Sequence, residues 1–254
     1  MKSVLVAFSG GVDSTFLLAV AREVLGDGAK AVTAVSPTYS PHEVEAARRM
    51  AAHLGVPLEI LETDEFNDER FVANPKERCY WCKTELFSKL VRRAVELGCA
   101  AVLDGSNADD TGDYRPGMTA ARELGVRSPL MEISFTKADI RAESRRIGLP
   151  TWDKPSYACL ASRIPYGTRI TPEIVARIEA SERFLREAGF SQVRVRHHGD
   201  LARIEILPAE FVRVMEPALR ERLVAAVKAL GYAYVTLDLQ GYRTGSMNEI
   251  LGRP

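Results

Sequence analysis

Several groups of residues in this 254-residue chain have the types and spacing for chemistry. Ser9-Gly10-Gly11-Val12-Asp13-Ser14 follows a short apolar run, Val4 to Phe8, and leads into Thr15-Phe16-Leu17-Leu18. The first run reads as a buried parallel strand and the second as a helix. Two glycines between them permit a tight turn and close backbone approach to a ligand. The N–H groups at the start of such a helix form a nest that favours a phosphate-like anion. Asp13 or Ser14 is expected to cap the helix. No lysine follows the glycines, so this is not a loop of the Walker type.

A second group is Asp104-Gly105-Ser106-Asn107-Ala108-Asp109-Asp110. Gly105 would let backbone approach a ribose or base, and the paired carboxylates are oxygen donors suited to Mg2+. The same residues suit a capped turn. A third group is made of cysteines. Cys79 and Cys82, in Arg78-Cys79-Tyr80-Trp81-Cys82-Lys83, place two thiolates on one turn, a half-site for zinc or an iron–sulfur cluster. Cys159 lies in a later loop able to close over such a site, whereas Cys99, beside Ala100 and Val102, reads as a small buried apolar residue. Three cysteines without a clear fourth ligand suit a [4Fe–4S] cluster with one open iron. A redox pair, a zinc site and no cofactor are the alternatives. Finally, Arg194 and Arg196 alternate with Val193 and Val195 and so share one strand face. Two guanidinium groups there would grip a phosphate bidentately, or simply face solvent.

The elements that must position these groups alternate. Strands are predicted at 4–8, 30–36, 58–62 and 100–106, with a fifth at 130–133, and helices from Thr15, at 41–54, at 84–97 and at 136–147. That order predicts an α/β fold with a doubly wound parallel sheet and right-handed crossovers. Ligands of such sheets bind beyond the carboxyl ends of the strands, which gathers Ser9 to Ser14, Ser36 and Gly105 to Asp110 at one edge. Lys137 reads as an exposed helix-start lysine. Loop chemistry around Pro150, Pro155 and Pro165 marks a boundary, giving domains at 1–155 and 156–254. The second is a smaller α+β domain. It has a helix from Pro172 capped by Thr171, strands at 192–197 and 201–207, a helix over 209–230 and a last strand at 233–239. His197 and His198 read as a solvated turn.

Composition narrows the function classes. Lys+Arg and Asp+Glu both number 34, without the basic excess of a chain that wraps nucleic acid. No apolar run is long enough to span a membrane and no signal-peptide pattern appears, so a cytoplasmic protein is expected. Four cysteines in a chain of this size do not make a disulfide framework.

Ser-Gly-Gly-Val-Asp-Ser resembles the pyrophosphate loop (PP-loop) of the ATP pyrophosphatase superfamily, whose members cleave ATP between its α and β phosphates. Taken with Arg-Cys-x-x-Cys-Lys, Asp-Gly-Ser-Asn-x-Asp-Asp, Ala-Cys-Leu-Ala-Ser-Arg-Ile-Pro-Tyr-Gly and Val-Arg-Val-Arg, nearly the whole chain resembles the LarE family. These are ATP-dependent sulfur transferases that help make the nickel-pincer cofactor of lactate racemase. They convert the carboxylates of pyridinium-3,5-biscarboxylic acid mononucleotide to thiocarboxylates. One branch sacrifices the sulfur of a single cysteine at the place of Cys159. Another holds a [4Fe–4S] cluster on three cysteines, as Cys79, Cys82 and Cys159 would.

The resemblance implies ATP and Mg2+, with Ser9, Gly10, Gly11, Asp13 and Ser14 on the pyrophosphate and Lys83 adding charge. It also implies nucleotide contacts from Ser36, Gly105 and Asp109, a transfer site lined by Ser162 and Arg163, and a substrate phosphate gripped by Arg194 and Arg196. Glu182 and Glu205 resemble family positions that bind a divalent metal. A homo-oligomer is implied, a hexamer among the candidates; the sulfur donor is not named by the sequence. The rival readings are a tRNA thiolation enzyme of the same superfamily, an ATP-dependent amide-forming enzyme with structural zinc, and a nucleotide sensor without turnover.

Overall fold

The protein is described by a computed structural model that covers residues 1–112, 116–243 and 246. It divides into two compact units, Met1–Tyr157 and the chain from Ala158 onward.

In the first unit, β1 (Val4–Ala7), α1 (Val12–Leu25), β2 (Ala29–Val35), α2 (Pro41–His53) and β3 (Leu58–Glu62) follow in turn. Then come α3 (Glu69–Val72), α4 (Arg78–Glu96), β4 (Val102–Leu103), α5 (Pro116–Glu123), α6 (Pro129–Glu132) and α7 (Lys137–Arg146). The sheet has the order β3-β2-β1-β4 and every pairing is parallel. β1 is covered on both faces. Val4 and Val6 pack with Phe16, Leu17 and Leu18 of α1 and with Ile140 of α7. Leu5 packs on the other side with Leu86, Phe87 and Leu90 of α4. A strand buried on both faces needs a continuous apolar run, and Val4–Ala7 is one. The predicted doubly wound α/β sheet is thus observed.

Several elements differ from the expectations. The fourth strand, expected over 100–106, is only Val102–Leu103, so Asp104 to Ser106 lie in the loop beyond it. Residues 130–133 are not a strand: Pro129 opens the short helix α6, and Ser134 with φ of 56° ends it. Proline has no N–H for a ladder, and among the described residues a single parallel bridge, Leu103 to Arg127, extends the sheet there. α4 starts at Arg78 rather than at Thr84, so Cys79 and Cys82 stand on its first turns instead of ahead of it. Its start is fixed by the buried Arg78, whose guanidinium donates to Asn74 Oδ1 at 2.8 Å. The helix expected over 209–230 is broken into α9 (Phe211–Val214) and α10 (Pro217–Ala229), because Pro217 cannot continue the preceding turn.

In the second unit α8 (Pro172–Glu187) is capped by Thr171, whose Oγ1 accepts the Ile174 N–H at 3.3 Å. β5 (Val193–His198) and β6 (Leu201–Ile206) form an antiparallel hairpin, and β7 (Tyr234–Leu237) lies parallel to β6. Leu185, Val195, Ile204, Val227 and Tyr232 make its core. No helix among the described residues is long and apolar enough to cross a membrane.

Candidate functional site

The amides of the loop between β1 and α1 hold long bonds to serine hydroxyls: the Ser9 N–H reaches Ser14 Oγ at 3.3 Å and the Gly11 N–H reaches Ser9 Oγ at 3.4 Å. α1 begins at Val12 with Gly11 as its cap residue, and no side chain caps it. The expected cap by Asp13 or Ser14 is therefore not made: both lie inside the first turn. Ser14 Oγ turns back instead, 3.1 Å from Ser9 Oγ and 3.4 Å from the Gly11 carbonyl. Gly10 has φ of 67°, and a Cβ there would come within 2.8 Å of Ala47 Cα in α2. Only glycine fits on both counts. Gly105, beyond β4, lies against the same turn; a Cβ on it would sit 3.0 Å from the Ser14 nitrogen. The parallel sheet thus brings the two motifs to one edge.

Asp13 is the charged centre of this edge. Its Oδ2 takes an ion pair from Lys137 Nζ at 2.5 Å, and its Oδ1 accepts from Asn107 Nδ2 at 3.4 Å. Lys137, expected to be a solvated lysine, is therefore engaged at the loop. Asp109 Oδ2 accepts the Lys137 backbone N–H at 2.9 Å, and Asp110 Oδ2 accepts the Asn107 N–H at 3.0 Å. Asp109 thereby ties the turn to the start of α7, whereas Asp110 closes the turn on itself. Lys154 donates to the Gly10 carbonyl at 3.1 Å and to Glu43 Oε2 at 2.8 Å. Sequence patterns gave no role to Lys154 or Glu43, whose side chains meet across 111 positions of the chain. Lys83 stands with Ser9, Tyr39 and Glu43 around a cleft of about 120 Å3, its ammonium 5.2 Å from the Phe87 ring centroid.

Ser36 follows β2 and bonds with a carboxylate that sequence reading missed. Ser36 and Thr38 donate to Glu65 Oε1, Thr38 at 3.0 Å. Glu65 is buried, and its Oε2 has no hydrogen-bond partner among the described residues.

Cys79 is exposed and Cys82 half-buried, both outside any disulfide, on the first turns of α4. The rings between them are held aside: Tyr80 donates to Glu123 Oε2 at 2.7 Å, and Arg70 stacks 4.1 Å over Trp81. Two thiols on one face suit two ligands of a cluster. Among the described residues no group of three or more His, Cys, Asp or Glu gathers as a metal site. Cys99 packs at the edge of the apolar cluster with Leu86 and Leu90, and burial pushes its thiol pKa up.

The second unit fixes Cys159 from its backbone. The fully buried Arg163 donates to the carbonyls of Ala158 at 2.7 Å and Cys159 at 3.0 Å, and to Ser162 Oγ at 3.0 Å. Ser162 Oγ donates to the Cys159 carbonyl at 2.8 Å. The other edge of the Arg163 guanidinium meets the fully buried Glu182 bidentately, at 2.8 and 3.1 Å. Burial pushes the Glu182 carboxyl up, but the Arg163 charge and hydrogen bonds, with Arg194 and the Val195 N–H, more than offset it, so its net shift is downward.

Glu205 binds Arg196 in the same way, at 3.0 and 2.8 Å, and Arg196 also donates to the Ser162 carbonyl at 3.0 Å. Arg194 and Arg196 are buried rather than solvent-facing. Arg194 donates to Tyr242 Oη at 3.3 Å, and burial, then the Arg163 charge, lower its pKa. The two glutamates expected at a divalent metal thus face guanidinium groups. His197 is also not a solvated turn residue: it is buried with Nδ1 3.2 Å from Tyr232 Oη, while His198 is exposed.

Residues 2–113 match the family described as asparagine synthase. The chain is 40% identical over 252 residues to the pyridinium-3,5-bisthiocarboxylic acid mononucleotide synthase of Lactiplantibacillus plantarum, covering 99% of this chain and 91% of that protein. It is 46% identical over 247 residues to the uncharacterized protein slr1717 of Synechocystis, covering 97% and 92%. The tRNA-specific 2-thiouridylase MnmA of Desulforamulus reducens is 28% identical over 194 residues, covering 61% of this chain and 53% of that one.

Proposed function

Because this chain belongs to the LarE family of PP-loop ATP-dependent sulfur transferases, we propose that it thiolates the carboxylates of pyridinium-3,5-biscarboxylic acid mononucleotide at the expense of ATP. The observation that carries this reading is the convergence of the uncapped loop, Gly105, Asp13 and Lys137 at one edge of the sheet.

The chemistry assigns the roles. A carboxylate is a poor acylating group, because its oxygen is a basic leaving group. Joining that oxygen to the α-phosphorus of ATP makes AMP the leaving group and releases pyrophosphate. The amides of Gly10, Gly11 and the first turn of α1, with the hydroxyls of Ser9 and Ser14, hold the departing pyrophosphate. Lys83 and Lys137 offset its charge, and Asp13 would hold Mg2+, which would screen the phosphates when bound. Ser36, Gly105 and Asp109 border the nucleoside end. Positioning and charge stabilisation do the work; no covalent bond from protein to phosphate is required.

A sulfide then replaces AMP at the acyl carbon, and the displaced oxygen leaves with AMP. Cys79, Cys82 and Cys159 would hold a [4Fe–4S] cluster, which when bound would supply that sulfide. Arg163 and Ser162 keep the Cys159 backbone fixed. Arg194 and Arg196 present the charge for the substrate's phosphate, each within a network anchored on Glu182 or Glu205. Those two carboxylates act here as counter-ions of the arginines. A cytoplasmic homo-oligomer belongs to the same reading.

The test is incubation of the anaerobically prepared chain with the pyridinium mononucleotide, Mg·ATP and sulfide. Formation of AMP, pyrophosphate and a product carrying sulfur in place of oxygen, read by mass spectrometry, is expected. Pyrophosphate release that requires tRNA instead of the mononucleotide would overturn the reading in favour of tRNA thiolation.

A further inference from the structure

Lys154 lies outside every motif read from the sequence, yet its ammonium reaches the centre of the phosphate loop. It donates to the Gly10 carbonyl at 3.1 Å and to Glu43 Oε2, in the first turn of α2, at 2.8 Å. We propose that Lys154 is a positioning residue that sets the orientation of the Gly10–Gly11 peptide, and thereby decides whether the loop can accept the phosphates of ATP.

In a trans peptide the carbonyl and the N–H point in opposite directions. The Gly10 carbonyl shares its peptide with the Gly11 N–H. With the oxygen tied to Lys154, the N–H is directed to the other side. Its partner there is Ser9 Oγ at 3.4 Å, a long bond that a phosphate oxygen would readily displace. Both residues flanking this peptide are glycines, so no Cβ resists a flip. A flipped peptide would turn its carbonyl oxygen toward the anion and repel it. A carbonyl outside the helix ladder needs a donor of its own, and Lys154 is that donor.

Lys154 is itself held in place. Arg141 of α7 donates to the carbonyls of Trp152 at 2.8 Å and Lys154 at 2.9 Å. Arg141 stands one helical turn beyond Lys137, the partner of Asp13. One helix therefore steadies both sides of the loop: Asp13 directly, and Gly10 through Lys154. Glu43 supplies the counter-charge that keeps the ammonium beside the carbonyl when no phosphate is bound.

This inference rests on the reading of the loop as a phosphate site, and the experiment separates the two. Binding of Mg-pyrophosphate and of adenosine is measured by calorimetry on the full chain, at two salt concentrations. The proteins are the parent, Lys154→Met, Lys154→Arg and Arg141→Ala. Lys154→Met is expected to bind pyrophosphate about tenfold more weakly, the loss of one charge-assisted hydrogen bond, with adenosine binding and the salt dependence unchanged. Lys154→Arg, which still offers N–H donors to the carbonyl, recovers most of the affinity, and Arg141→Ala lies between. Unchanged pyrophosphate affinity in Lys154→Met overturns the inference. A weaker affinity with a flatter salt dependence also overturns it, because Lys154 would then be touching the anion itself. If Lys154→Met loses adenosine binding and so fails to fold, Arg141→Ala decides by the same two criteria. A parent chain that binds no pyrophosphate overturns both the phosphate-site reading and the inference.

Discussion

Lys137 Nζ stands 2.5 Å from Asp13 Oδ2, across 124 positions of the chain. The pair joins the first turn of α1 to the first turn of α7 beside the loop amides. Both side chains remain about one quarter exposed, at 28% and 23%. A pair that open contributes roughly 0–1 kcal/mol to stability, so its residues can be changed without loss of the fold. Asp13→Asn and Lys137→Met are each expected to melt like the parent and to lower the rate of pyrophosphate release about 10²–10³-fold. Parent-like turnover in both would remove the pair from the reaction.

Gly10→Ala meets two obstacles at once. Its backbone is left-handed, and the new methyl would lie 2.8 Å from Ala47 Cα, which is itself fully buried. The left-handed backbone costs a residue with a Cβ about 1–2 kcal/mol, and overpacking adds about 1–3 kcal/mol. Gly98→Ala, just past the end of α4, is the control: φ there is 66°, but nothing lies within 4 Å of the added methyl. Thermal melts should show the larger loss at Gly10, together with loss of ATP binding found only there. Equal losses at both positions would contradict the packing of Gly10 on α2.

The buried Arg163–Glu182 pair predicts both a stability loss and a pH dependence. Removing one partner leaves the other charge buried, so Arg163→Met should cost about 3–5 kcal/mol. The Glu182 carboxyl is held below its ordinary value in the folded chain. The unfolded chain therefore binds the proton more readily. The resulting stabilisation is complete above about pH 4.3 and is lost as pH falls through the lower folded value. Urea melts from pH 7 to pH 3 should show this decline in the parent and a flatter one in Glu182→Gln. The same slope in both would assign the acid sensitivity elsewhere.

The cysteines divide by environment. Anaerobically purified parent protein should carry about four irons and matching acid-labile sulfide. Cys79→Ala, Cys82→Ala and Cys159→Ala should each lose them. Cys99→Ala should keep them, because Cys99 packs at the edge of an apolar cluster where burial disfavours its thiolate. Iron retained in Cys159→Ala would remove that residue from the ligand set. Zinc in place of iron would favour the amide-forming alternative.

By itself the sequence determined the parts whose physics is local. The apolar run of β1, the two glycines and the start of α1 lie within a few residues of one another, and their order specifies the loop. Strand–helix alternation then dictated a parallel sheet and which strand ends share an edge. Short apolar segments carried less information. Residues 130–133 fit a strand or a helix by pattern, and Pro129 decided for the helix. Tertiary structure alone decided who pairs with whom. Lys137 on Asp13, Lys154 on Glu43, Arg163 on Glu182, and Arg196 on Glu205 are matches between charges, and Lys154 on the Gly10 carbonyl one between a charge and the backbone, at positions no local pattern links. A lysine or arginine looks the same in a sequence whether it faces water or a carboxylate. Only packing withdraws the water and fixes a partner for it.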